Sequence, residues 1–73
     1  MCIASLRSMT HAVKARNTLY DSGIYSEIIK LEPNMTKRGC AYGISFDCIN
    51  LTLAKDALIK SKIKFTEVLT LPT

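Results

Sequence analysis

The sequence has few of the side chains from which active sites are built. Six acidic residues and one histidine, His11, are spread along 73 residues. They form no carboxylate pair, no cluster of metal ligands, no phosphate-binding loop and no set of nucleophile, base and orienting group. We therefore expect neither an autonomous enzyme nor a bound metal or other cofactor.

Long apolar runs are absent as well. No run approaches the roughly 20 residues that span a bilayer, and residues 1–6 lack the features of a signal peptide. The three cysteines, at positions 2, 40 and 48, match neither a secreted disulfide framework nor a paired-cysteine metal motif. These features predict a cytoplasmic protein without a membrane segment, in which reduced thiols are the default.

What remains is the composition of one small packed domain spanning residues 1–73. Apolar residues make up 48% of the chain and charged residues 22%, as in an ordinary globular domain. The net charge of +4 comes from cations that are scattered except at Lys60, Lys62 and Lys64, a run that we interpret as a solvated helix end. Tyr42 and Phe46 lack the motif of RNA-binding domains, so no nucleic-acid partner is expected.

The alternation of apolar segments with turn formers predicts six elements. They are a strand over residues 2–6, a helix over 11–20, a strand over 24–31, a strand over about 40–46, a helix that begins after Asp47 or Asn50 and ends near Lys60 or Ser61, and a strand over 63–71. Ser8 or Thr10 is the expected cap of the first helix, and Asp47 or Asn50 that of the second. Gly23 is expected to end the first helix.

A faint internal repeat organises these elements. Displacing the chain by 39 residues aligns Ala15 with Ala54, and Leu19 with Leu58, so each half reads as one strand-helix-strand unit. Two such units predict an α+β, ferredoxin-like βαββαβ two-layer sandwich. Its four-stranded antiparallel sheet has the order 4-1-3-2, with both helices on one face.

Cys40 is the candidate functional residue in this topology. The start of strand three lies beside the end of strand one, which places Cys40 near the first turn of helix one. The helix N-terminus together with Lys37 and Arg38 would favour the thiolate, and His11 could accept its proton. The alternative is that Cys40 simply packs as a small hydrophobe. Cys2 and Cys48 are expected to meet at the opposite end of the sheet, and whether they pair stays open.

Several short motifs resemble the selenium or sulfur carrier protein-like family DUF3343 over about residues 3–69. They are Ser8-Met9-Thr10-His11-Ala12, Ser22-Gly23-Ile24, Glu32-Pro33 and Gly39-Cys40. The resemblance implies a compact α+β domain in which Cys40 holds sulfur or selenium as a persulfide or selenosulfide, with Ser8 lining the same pocket. Proteins that donate and accept the sulfur or selenium would be its partners, and an exposed Cys40 would be required.

Two other functions stay open beside the carrier. The first is a non-catalytic module that binds an anion or a protein through the Lys37-Arg38-Gly39 turn and the N-terminus of helix one, where Ser8, Thr10 and His11 lie. The second is an interaction domain without site chemistry, for instance a homodimer. Replacement of Cys40 by serine should abolish only the carrier function.

Overall fold

The structure is a computed structural model, and it describes residues 1–36 and 40–70. Its elements in chain order are β1 (Cys2–Leu6), α1 (Met9–Asp21), β2 (Ser26–Lys30), a 3-10 helix (Pro33–Met35), β3 (Tyr42–Phe46), a second 3-10 helix (Cys48–Asn50), α2 (Leu51–Lys60) and β4 (Val68–Thr70). Every predicted helix and strand is present in the predicted order. The architecture is therefore α+β, as the sequence indicates.

The four strands form one antiparallel sheet in the order β2-β3-β1-β4, which is the predicted order 4-1-3-2 read from the other edge. Cys2 pairs with Phe46, and Leu6 with Tyr42, so the start of β3 does lie beside the end of β1. The two 3-10 helices are additions to the ideal ferredoxin-like order. The structure therefore agrees with the ferredoxin-like fold in its layers and strand order, but not in every element.

The main core lies between one face of the sheet and the two α-helices. Alternate residues of β1 and β3 point to this face and pack with small and aliphatic residues of both helices: Cys2, Ala4, Leu6, Ile44 and Phe46 from the strands, Ala12, Ala15 and Leu19 from α1, and Ala54 and Leu58 from α2. Because one cluster contains residues of both helices, both lie on the same face. No described helix is long and apolar enough to cross a membrane.

The opposite face of the sheet is packed closely around Gly43. A Cβ atom built on this glycine would lie 2.7 Å from Ile3 Cγ2 and 3.0 Å from Leu31 Cδ1, and both of those side chains are buried. Contacts under 3.0 Å require a neighbour to move. The small residues of β3 on this face therefore allow Ile3 and Leu31 to pack against the strand.

Helix α1 begins and ends with capping motifs that its sequence specifies. The Ser8 side chain accepts a hydrogen bond from the His11 amide, which makes Ser8 rather than Thr10 the N-cap. At the other end Gly23 has a φ of +80°, and the Ile24 amide donates to the Leu19 carbonyl at 2.8 Å. This is the Schellman arrangement, which satisfies carbonyls that the helix leaves unpaired.

Helix α2 ends in the same way, but without a glycine. The Ile63 amide donates to the Leu58 carbonyl at 2.9 Å, and the left-handed position is occupied by Lys62 with a φ of 58°. The internal repeat thus extends to the helix ends. Glycine stands at this position in the first unit and lysine in the second.

Three predicted strand boundaries are wrong for related reasons. Strand β4 is Val68–Thr70 rather than 63–71, because Ile63 completes the helix cap, and residues 71–73 lie outside the described chain. Strand β2 starts at Ser26 because Ile24 also completes a cap. Strand β3 starts at Tyr42 because the Cys40 amide donates to Thr36 Oγ1 instead of joining the ladder.

The second helix is preceded by a short 3-10 turn. The Asp47 side chain accepts a hydrogen bond from the Ile49 amide at 3.1 Å, which caps the 3-10 helix that leads into α2. Asn50 precedes α2 without a side-chain capping bond. Of the two expected caps, Asp47 is therefore the one whose side chain forms a capping bond, and it caps the 3-10 helix rather than α2 itself.

Cys2 and Cys48 form a disulfide with a Cα–Cα distance of 5.1 Å. The predicted topology correctly brings these two cysteines together at one end of the sheet. The expectation of reduced thiols is wrong for this pair. Spacing in the sequence could not indicate the bond, because 46 residues separate the two cysteines.

Candidate functional site: a buried thiol beside a basic cleft

Cys40 carries the one unpaired thiol among the three cysteines, all of which the structure describes. Its side chain is 6% exposed, so the exposure that a carrier requires is not met in this conformation. Burial by itself also fits the packing alternative. However, Cys40 does not belong to the main core cluster, and two hydroxyl groups lie within hydrogen-bond distance of it.

Two threonines provide those contacts. The Cys40 amide donates to Thr36 Oγ1 at 2.7 Å, and this hydroxyl contact is buried. The Cys40 sulfur lies 3.1 Å from Thr66 Oγ1. The first contact satisfies a buried backbone amide, as any residue here would require, whereas the second involves the thiol itself. The backbone and the side chain of Cys40 are therefore both held by hydroxyl groups.

Thr66 connects Cys40 to Ser5. We use the name hydroxyl chain for the three atoms that are linked in this way: Cys40 Sγ, Thr66 Oγ1 and Ser5 Oγ. The two oxygens lie 2.6 Å apart. Ser5 Oγ donates to the Glu67 carbonyl and accepts from the Glu67 amide, both at 3.1 Å. Ser5 is fully buried in β1, so these bonds fix the loop before β4 against the central strand.

The hydroxyl chain can form hydrogen bonds with the Cys40 sulfur both as a thiol and as a thiolate. With a thiol, Cys40 donates to Thr66, Thr66 donates to Ser5, and Ser5 donates to the Glu67 carbonyl. With a thiolate, Ser5 turns its proton to Thr66, and Thr66 donates to the sulfur. In the second state the Glu67 carbonyl still accepts the Ser5 amide at 2.9 Å. Hydroxyl rotation alone thus adapts the site to a charged sulfur.

The predicted residues of helix one are only partly brought together. Ser8 Oγ lies 2.9 Å from His11 Nδ1, so these two side chains form a pair at the N-terminus of α1. Thr10 is exposed in the first turn. Among the described residues no hydrogen bond joins Cys40 to any of the three. Lys37, Arg38 and Gly39 lie outside the described residues.

His11 also contributes to a cleft of about 470 Å³ next to the hydroxyl chain. We call it the basic cleft, and its described lining consists of Arg7, His11, Lys62, Lys64, Phe65 and Thr66. Four of these six side chains are basic and none is acidic. Thr66 belongs to both the cleft and the hydroxyl chain, so one hydroxyl connects a positively charged surface with the buried sulfur.

The sequence interpretation missed most of this arrangement. Lys62 and Lys64 are exposed, as the interpretation of a solvated helix end requires, but the sequence does not indicate that both line one cleft. Ser5 and Thr66 were not singled out, because an isolated hydroxyl residue in or beside a strand carries no sequence signal. The alignment of Gly23 with Lys62 in the internal repeat is the one available hint, since it places a lysine where the backbone favours glycine.

The described residues include no group of three or more side chains that could hold a metal ion. The chemistry available to them is that of a single thiol, two hydroxyls and a set of cations. A thiolate can attack a sulfur that is bonded to another sulfur, and hydrogen-bond donors stabilise the resulting anion. The arrangement is therefore suited to exchange of sulfur at Cys40.

Comparison with known proteins identifies the family of this chain. Searches of curated proteins and of solved structures gave no match. A family model described as "Putative Se/S carrier protein-like" matches residues 1–70. That match includes both strand-helix-strand units, the hydroxyl chain and every lining residue of the basic cleft. The chain therefore belongs to the Se/S carrier protein-like family.

Proposed function

We propose that this protein carries sulfur or selenium on Cys40 and passes it from a donor to an acceptor. The observation that supports the proposal most directly is the position of the unpaired thiol. Its sulfur lies 3.1 Å from Thr66 Oγ1, and Thr66 also lines the basic cleft. Membership in the Se/S carrier protein-like family is consistent with this role.

The transfer is a balanced exchange of sulfur. The Cys40 thiolate attacks the outer sulfur of a donor persulfide, R–S–SH. A new S–S bond forms at Cys40, the S–S bond of the donor breaks, and the donor leaves as a thiolate that takes up the proton released by Cys40. The sum is Cys–SH + R–S–SH → Cys–S–SH + R–SH, with no external oxidant or reductant. Delivery to an acceptor thiol repeats the same exchange.

Each hydroxyl group has a distinct part in this step. Thr66 donates to the sulfur when it is charged, and Ser5 donates in turn to Thr66. Thr36 holds the Cys40 amide and so fixes the backbone from which the sulfur projects. Hydrogen bonds to a charged group each contribute about 1.5–3 kcal/mol, which is enough to change an exchange rate by tenfold or more.

The burial of Cys40 makes access a condition of the proposal. A sulfur that is shielded between transfers is protected from side reactions, but it must become reachable for each transfer. Local opening requires less free energy than global unfolding. We therefore expect Cys40 to react with a small thiol reagent much faster than the whole domain unfolds.

A labelling experiment tests this access. The rate at which iodoacetamide modifies Cys40 is measured by mass spectrometry under native conditions. It is compared with the rate of global unfolding obtained from hydrogen exchange of core amides such as that of Ile44. Cys40 should react faster than global unfolding permits. Labelling that is limited by global unfolding would identify Cys40 as a packing residue and overturn the carrier function.

Loading of sulfur is the second test. The protein is incubated with a low-molecular-weight persulfide, and the mass of the peptide that contains Cys40 is measured after excess donor is removed. A gain of one sulfur on this peptide is expected in the wild type and in Cys2→Ala/Cys48→Ala. No gain is expected in Cys40→Ser. Equal loading of Cys40→Ser would contradict the proposal.

The anion-binding alternative uses other residues. It requires the Lys37-Arg38-Gly39 turn and the first turn of α1, where Ser8 and His11 form their pair. Binding of inorganic phosphate that survives Cys40→Ser but disappears in Lys37→Gln/Arg38→Gln would favour it. Donor and acceptor proteins, a homodimer and a cytoplasmic location likewise stay predictions.

A further inference from the structure

We infer that the basic cleft recognises the carboxylate or phosphate group of a small molecule that delivers sulfur or selenium to Cys40. This inference rests on the proposed carrier function and adds to it the class of the donor. His11 belongs to both this cleft and the anion site that the sequence predicts, but Arg7, Lys62 and Lys64 belong to the cleft alone.

The lining of the basic cleft carries positive charge that favours an anionic ligand. Arg7, Lys62 and Lys64 line it together with His11, and in the described part of the chain no ion pair joins those three cations to an acidic side chain. Like charges that converge in one concave surface repel one another and raise the local positive potential. An oxyanion bound among them would remove that repulsion.

The position of the cleft is the second argument. Thr66 lines the cleft, and its hydroxyl oxygen lies 3.1 Å from Cys40 Sγ. A molecule whose anionic group is held by the cations therefore lies one hydroxyl group away from the sulfur, and it is in place to react when local opening exposes Cys40. Such binding holds the donor sulfur close to Cys40 and so raises the rate of the transfer between them.

The backbone at Lys62 is the third argument. Its φ of 58° lies in the left-handed region, which is unfavourable for a residue other than glycine. The corresponding residue of the first unit is Gly23, whose φ is +80°. A glycine would remove the strain at position 62, but it would also remove one cation from the cleft. Retained strain of this kind is typical of functional positions.

The size of the cleft favours a small molecule over a protein segment. Its volume of about 470 Å³ falls within the range of about 300–1,000 Å³ that is common for small-ligand pockets. Phe65 adds one aromatic side chain to the lining, which suits a compact organic molecule with an anionic group. An acidic protein segment would instead need an extended surface.

The test compares two donors and two variants. Glutathione persulfide carries carboxylates, whereas the persulfide of β-mercaptoethanol carries none. The rate of sulfur loading on Cys40 is measured with each donor in wild type, in Lys62→Gln/Lys64→Gln and in the control Lys60→Gln. Lys60 is exposed at the same helix end, but it does not line the cleft.

We expect Lys62→Gln/Lys64→Gln to load about tenfold more slowly than wild type with glutathione persulfide, and at the wild-type rate with the donor that has no carboxylate. Lys60→Gln should match wild type with both donors. Inorganic phosphate should compete only against the carboxylate-bearing donor. Equal rates for all variants and donors would overturn the inference. Slow loading with both donors would overturn it too, since that result indicates damage to the site.

A second measurement separates this inference from the carrier function. Backbone amide chemical shifts of Cys40→Ser are followed by NMR during titration with inorganic phosphate. Shifts that saturate at Arg7 and Lys62 show that the cleft binds an oxyanion even if wild type loads no sulfur, in which case only the carrier function fails. Loading that proceeds without any such shifts leaves the carrier function intact and overturns the role of the cleft.

Discussion

Thr66 is the residue at which the two parts of the candidate site meet. It contacts the thiol at 3.1 Å and Ser5 Oγ at 2.6 Å, and it lines the basic cleft. The Thr66 hydroxyl thereby contacts both the Cys40 sulfur and Ser5 of the central strand β1, and Thr66 also reaches the surface at the cleft. Changes at this position should affect reactivity more than they affect the fold.

Replacement of Thr66 by valine should slow sulfur loading on Cys40 about tenfold, because valine keeps the shape but removes a hydrogen bond to a charged sulfur. Thr66→Ser retains the hydroxyl and should load at nearly the wild-type rate. The measurement is the mass gain of the Cys40 peptide against time. The role of the hydroxyl chain would be contradicted if valine and serine variants loaded equally fast.

Tyr25 forms a hydrogen bond whose effect can be tested independently of Cys40. Its hydroxyl donates to Glu27 Oε1 at 2.6 Å. That hydrogen bond raises the pKa of Tyr25, and the charge of the Glu27 carboxylate and partial desolvation raise it further. Glu27→Gln should therefore lower the Tyr25 pKa, as measured by absorbance titration of the phenolate in a Tyr20→Phe/Tyr42→Phe background.

The hydrogen bond between Tyr25 and Glu27 also determines how the stability of the fold changes with pH. Because the pKa is higher in the folded protein than in the unfolded one, the bond stabilises the fold below the unfolded pKa. That contribution is lost as the pH rises through the folded pKa. An unchanged titration curve in Glu27→Gln would show that the bond has no such effect in solution.

At the scale of elements, the two strand-helix-strand units end their helices with the same hydrogen bonds on different residues. Lys62 occupies the left-handed position that Gly23 occupies in the first unit. We expect Lys62→Gly to raise the free energy of unfolding by about 1 kcal/mol through relief of this strain. It should also weaken phosphate binding in the basic cleft.

Gly23→Ala serves as the matched comparison. A Cβ atom at Gly23 would meet nothing within 4 Å, so only the backbone conformation is tested there. Urea unfolding should show a loss of about 1 kcal/mol for Gly23→Ala and a gain for Lys62→Gly. A loss in both variants would mean that position 62 is not strained.

At the scale of the whole molecule, the Cys2–Cys48 disulfide links β1 to the 3-10 helix that precedes α2. It closes a separation of 46 residues in a chain whose size allows only a small core. Restriction of the unfolded chain by such a link typically stabilises a protein by about 2–4 kcal/mol. The second strand-helix-strand unit is thereby tied to the first strand.

We expect reduction of this disulfide, or the variant Cys2→Ala/Cys48→Ala, to lower the free energy of unfolding by about 2–4 kcal/mol. Urea unfolding with and without dithiothreitol measures the effect, and the double variant should be insensitive to the reductant. An unfolding midpoint that is the same in wild type with and without dithiothreitol would contradict a stabilising disulfide. Cys40 remains free in every sample.

Local sequence signals account for the elements and their order. Ser8 and Gly23 mark the ends of α1, and alternation within β3 separates core residues from the small residues that face Ile3. These features depend on neighbours along the chain, and the sheet order is indicated by the repeat of the strand-helix-strand pattern in the two halves of the sequence. Even the meeting of Cys2 and Cys48 follows from antiparallel pairing of the central strands.

The tertiary structure alone decided what surrounds the thiol. Cys40 is 26 residues from Thr66, and Ser5 is 61 residues from it, so no local periodicity relates these three groups. The last strand also begins later than its apolar pattern predicts, because Ile63 is used to cap α2. The loop that results brings Lys64 and Thr66 to the cleft. Side-chain chemistry thus follows from the sequence, whereas the juxtaposition of a buried sulfur, hydroxyls and cations arises only when distant segments pack together.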